Sequence, residues 1–96
     1  MFNHKSMPNL VNTDGTYEQI IGPFILGKLD DFAKKGRNPG GFLTACLENN
    51  LSRAVGRADG ENLEKIPAIA LYIFNQLPDP CWGSPEKVAN WKGLGQ

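Results

Sequence analysis

Histidine and cysteine are scarce in this sequence: one histidine, His4, and two cysteines, Cys46 and Cys81, in 96 residues. Without a Cys-x-x-C pair, and with the histidine far out toward the N-terminus, a structural zinc site has no ligand set. A disulfide suits a secreted chain better, so both cysteines read as free, mostly buried thiols. The histidine shortage also bears on catalysis. The usual general base near pH 7 is missing from the region expected to fold. No nucleophile-elbow sequence is present, and no Walker-type glycine loop precedes a Lys-Ser/Thr pair. These absences point to a non-enzyme that needs no cofactor.

Long apolar runs are missing as well. None approaches the roughly 20 residues that span a bilayer. The opening stretch "MFNHKSMPNLVNTDG" lacks the basic-then-apolar order of a secretory signal. A soluble, cytoplasmic protein with no membrane partner is expected. There is no excess of charge either, because ten basic and ten acidic residues cancel. A long nucleic acid is held through many phosphates, which takes a basic stripe. A compact ligand with one to three phosphates would need only two or three arginines, so neutrality leaves that class open.

Strand patterning is the last absence. Nowhere do apolar and polar residues alternate convincingly, and there is no Asn-Gly hairpin signal. Helical spacing is abundant instead. Tyr17, Ile20, Ile21, Phe24, Ile25, Leu29 and Phe32 recur on one face, after a capping box at Thr16 and Gln19. Pro23 either kinks this helix or starts it, with Gly22 before it, and Gly36 makes a left-handed stop. Phe42 to Leu47 form a short second helix. Leu51 and Ser52 read as a staple residue and N-cap of a third, running through Ala58. Asp59 is placed to cap a fourth, with Leu63, Ile66, Ile69, Ala70, Ile73, Phe74 and Leu77 as its buried stripe. Pro67 must bend or split that helix, and Pro78 stops it. Ser84 and Pro85 open a last short helix through Trp91.

The expected fold is thus all-α: a single-domain bundle of four to five short helices over residues 16–96, behind a flexible arm at 1–15. Eleven glycines, seven prolines and 41% apolar residues make such a domain marginal by itself. Burial of a face against a second copy is a natural remedy, so a homo-oligomer is expected.

Binding chemistry can be sought at three places. In "GRNPGGF", a helix opening after Gly40 and Gly41 offers free amides to an anion, with Arg37 close enough to clamp the same phosphate. Any tight interhelix turn looks similar. Arg53 and Arg57, four apart, share a helix face that could hold a phosphate or simply be solvated. Trp82 lies in the stiff loop "PDPCWGSPEKV", where it either seals the core or walls a site for a flat ligand. Tyr72 is the other aromatic that could stack on a base, although it sits beside a buried stripe.

Residues 39–91 resemble a group of small phage and prophage proteins. The shared segments are a Gly-Gly-Phe-Leu run (Gly40–Leu43), a Leu-Glu-Asn-x-Leu helix end (Leu47–Leu51), an Ala-Asp-x-x-Asn turn (Ala58–Asn62) and a Cys-Trp-Gly-Ser-Pro close (Cys81–Pro85). They span over half of the chain, and residues 1–38 add nothing. The resemblance implies phage origin and action in the host cytoplasm. Small helical oligomers of that origin include sponges for the cyclic-oligonucleotide or cyclic ADP-ribose signals of bacterial immunity. On that expectation Arg37, Arg53 and Arg57 hold phosphates, the Gly40 and Gly41 amides assist, and Trp82 or Tyr72 stacks a base, with Ser84 beside them. The rival expectation is a phage inhibitor that contacts a host enzyme, with the Trp82 loop as anchor.

Overall fold

A computed structural model describes residues 16–94. The arm expected at 1–15 lies outside the described residues, as does the Thr16 side chain and its capping box. The described chain is all-α: α1 (Thr16–Ile20), α2 (Pro23–Lys35), α3 (Gly41–Leu47), α4 (Leu51–Arg57), α5 (Gly60–Gln76) and α6 (Pro85–Asn90). A single 3-10 turn, Asp79–Cys81, precedes α6. Among the described residues four helices have seven residues or more, as the expected bundle of four to five short helices requires, and two are shorter; the extra short one, α1, arises because the first predicted helix divides. Gly22 adopts φ 97° and Pro23 takes the first helical position of α2, where its missing N–H costs nothing.

Local chemistry fixes most of the other ends. Gly36, at φ 73°, closes α2, and its amide donates to the Phe32 carbonyl at 2.9 Å. The Asp59 carboxylate accepts from the Asn62 amide at 2.8 Å and caps α5. Ser84 does the same for α6 through the Lys87 amide at 3.2 Å. The cap of α4 is Asn50, not Ser52: its side-chain oxygen takes the Arg53 amide at 3.1 Å. The preceding Asn49, at φ 64°, makes the left-handed turn out of α3. Asparagine tolerates that conformation better than other side chains, so the two asparagines divide the work of ending one helix and starting the next. α5 runs unbroken through Pro67, which neither splits it nor ends it.

Tyr17, Ile21, Leu29, Leu47, Ile69 and Cys81 are the largest of the fully buried side chains and tie α1, α2, α3, α5 and the 3-10 turn together. Each large apolar member contributes about 1.5–3 kcal/mol. The C-terminal segment closes the end of α2. The Trp91 indole N–H is shared between the carbonyls of Phe32 (3.1 Å), which also accepts from the Gly36 amide, and Ala33 (3.0 Å), in the last turn of α2. The Leu94 amide donates to Lys34 at 3.1 Å. This docking brings Gly93 so near α2 that a Cβ on it would lie 2.6 Å from the Lys34 carbonyl oxygen.

Candidate functional site

From Ile66 to Leu77 the sequence of α5, "IPAIALYIFNQL", contains no charged residue. Ala68, Ile69 and Ile73 face the core and are buried. The other side of the same helix is apolar too. Leu63, Ala70 and Phe74 recur every seven and four residues and are exposed, Phe74 at 64%. The buried stripe expected from the sequence was therefore drawn too wide, since it included these three residues. A helix apolar all round usually occupies the middle of a structure, covered on every side. Here one side is open. α4 extends the open strip with Leu51 and Val55, both exposed.

Two hollows lie along this strip and share Ala70. One, about 70 Å³, is bounded by Leu51, Ala54, Ile66 and Ala70. The other, about 210 Å³, is bounded by Ala70, Ile73, Phe74 and Trp82; Cys46 and Asn49 line both hollows. Trp82 is half-buried and meets Phe74 edge to face, with centroids 6.0 Å apart. Its indole N–H is buried and has no hydrogen-bond partner among the described residues. Trp82 is thus both a core lid and the wall of an open hollow. Cys46 and Cys81 are free thiols, and burial pushes each up to about 11. They are held as neutral thiols across the physiological range.

The residues expected to hold a nucleotide lie apart. Gly40 and Gly41 line a hollow of about 220 Å³ beside Phe24 and Lys28. The Gly40 amide is already taken, at 2.8 Å, by the Asn38 side chain. Arg57 does approach this corner. Its guanidinium lies where a Gly41 Cβ would meet Nη1 at 2.8 Å. Arg37 and Arg53 are exposed, and neither lines a hollow described here. Ser84 is occupied as the cap of α6.

Tyr72 belongs to a third place, a cavity of about 470 Å³ between α1, α2 and α5. Its hydroxyl donates to Asp30 at 2.7 Å, and its ring stands edge-on to Tyr17, centroids 4.9 Å apart. Burial, then the bond to Asp30, raise the Tyr72 phenol far above its ordinary range and keep it a donor. Glu18 and Asp30 both line this cavity, so its field repels phosphate. The structure thus brings Gly41 and Arg57 together and leaves Tyr72 and Trp82 at separate hollows.

Sequence reasoning passed over Leu51, Val55, Leu63 and Phe74 as a surface. The signal that could have found them is the charge-free run itself, because nothing along it marks an outward side. No helix among the described residues is long and apolar enough to cross a membrane. The chain matches no known protein family, and no curated protein or solved structure is significantly similar to it.

Proposed function

We propose that this chain is a non-catalytic protein that works by protein–protein contact, with the outer strip of α5 and α4 as its contact surface. The observation that carries this reading is the exposed, charge-free side of α5, with Phe74 raised beside Trp82. Water is a poor neighbour for such a strip, and interface centres are enriched in aromatic residues and depleted of charge. The Trp82 loop is stiffened by Pro78, Pro80 and Pro85, so little freedom is lost when a partner settles on it. The test is capture of a protein partner, either another copy or a protein of the same cell. Capture by the native chain and its loss in Phe74→Glu and Trp82→Ala supports the reading. Equal capture by all three contradicts it.

A second reading is sequestration of a small nucleotide signal. It is favoured by one observation, the Arg57 guanidinium held against Gly41 where α3 opens. Against it stand the occupied Gly40 amide and the acidic lining of the cavity beside Tyr72. Titration with cyclic dinucleotides, cyclic trinucleotides and cyclic ADP-ribose variants tests it. No heat and no melting shift with any of them removes it.

A further inference from the structure

We infer that the partner covering this strip is a second copy of the chain, packed antiparallel through α5 with the crossing at Ala70. The inference rests on the contact-surface reading and adds the identity of the occupant. Its first support is area. Leu51, Val55, Leu63 and Phe74 are 66%, 45%, 46% and 64% exposed. Together they leave apolar surface on the order of 400 Å², the size of the largest patch on an ordinary monomer. A standard interface takes about 800 Å² from each partner, a little over half of it apolar. One copy of the strip therefore supplies most of the apolar part of one face of a dimer.

Relief supplies the second support. Ala70 is a small residue between two knobs, Leu63 two turns before it and Phe74 one turn after it. Both hollows of the strip include Ala70, with Cys46 and Asn49; one extends to Ile66, a turn before Ala70, and the other to Phe74, a turn after it. A second α5 crossing at this low point can approach closely, as ridges settle into grooves. A twofold axis through an antiparallel crossing then sets Phe74 of one copy over the hollow at the partner's Ile66. It sets Leu63 at the partner's Leu77, where α5 gives way to the Trp82 loop. The same two contacts are made in reverse, which is what an isologous interface requires. Each copy carries both the knob, Phe74, and the hollow at Ile66 that receives it.

Sedimentation equilibrium of the full purified chain tests the inference, with circular dichroism to confirm that each variant stays folded. The expected result is a species of twice the 10.5 kDa chain mass. Phe74→Glu and Ala70→Gln should weaken association by at least about 30-fold, as loss of a central contact does. Their positions are exposed, so the helical signal should persist. Ala70→Cys should form a disulfide between copies on mild oxidation, whereas Arg53→Cys should not. A monomeric native chain at millimolar concentration overturns the inference, and so does a dimer indifferent to both Phe74→Glu and Ala70→Gln. If a monomeric chain still captures another protein through Phe74, the contact surface stands with a different occupant. If it captures nothing, both readings fall.

Discussion

Phe74 and Trp82 meet edge to face, their planes inclined at 71°, although Phe74 points to solvent from α5 and Trp82 comes from the loop that follows. An edge-to-face pair contributes about 0.5–1.5 kcal/mol beyond simple burial. An exposed aromatic ring held by another aromatic ring is poised for a partner more than it is needed by the core.

The first prediction separates those two roles. Phe74→Ala should cost the isolated protomer no more than about 1.5 kcal/mol, the worth of the ring pair. Ile69→Ala, on the opposite side of α5 and fully buried, should cost about 2–5 kcal/mol. Chemical denaturation at a concentration where the chain is monomeric reads both values.

The two indoles give the second prediction. Trp91 places its N–H between two carbonyls, whereas the buried N–H of Trp82 meets none among the described residues. Removing the Trp91 donor leaves the Ala33 carbonyl short, while removing an orphan relieves a desolvation cost. Trp91→Phe should therefore destabilise more than Trp82→Phe, by about 1 kcal/mol or more. Urea titrations of the two variants check the order.

These contrasts show which parts of the fold the sequence discloses. Gly36, Asp59 and the Ser84-Pro85 pair act within a turn of their own helices, and the ends they fix are those expected. The cap of α4 was misplaced by two residues because "NNLS" offers several competent cappers in a row. The division at Gly22 and Pro23 was seen only as one of two alternatives. Orientation was harder to read. With no charge between Ile66 and Leu77, periodicity could not separate Ile69, which is buried, from Phe74, which is not. Arg57 against Gly41, and the separate hollows of Tyr72 and Trp82, depend on contacts between distant helices. No local pattern encodes those contacts.

Glycine provides the third prediction. Gly93 has φ 107° and abuts the Lys34 and Lys35 backbone, so Gly93→Ala must displace the 91–94 segment from α2. Strain at such a position costs about 1–3 kcal/mol. Gly27 lies inside α2, and among the described residues nothing comes within 4 Å of an added Cβ. Gly27→Ala should stabilise by about 0.5–1 kcal/mol through helix propensity. Melting temperatures of the two variants should move in opposite directions.

A fourth prediction concerns alkaline pH. Burial raises Cys46 and Cys81 from an ordinary value of 9.0 to about 11 in the folded chain. Below pH 9 the thiols are neutral in both folded and unfolded states, and their contribution is fully present. Between pH 9 and 11 the unfolded chain loses these protons while the folded chain keeps them, so stability falls as pH rises. Denaturation midpoints from pH 8 to 11 should show this decline, reduced in Cys46→Ala. Near pH 8 both thiols should alkylate about 100-fold more slowly in the folded protein than after unfolding, in proportion to thiolate present.

The contact surface is tested most directly by placing a photoreactive benzophenone side chain at position 74 in the intact cell. Illumination should join the chain to protein, whether a second copy or another partner, while the same group at exposed Arg53 should give little product. No adduct at position 74, or equal adducts at the two positions, would contradict the account.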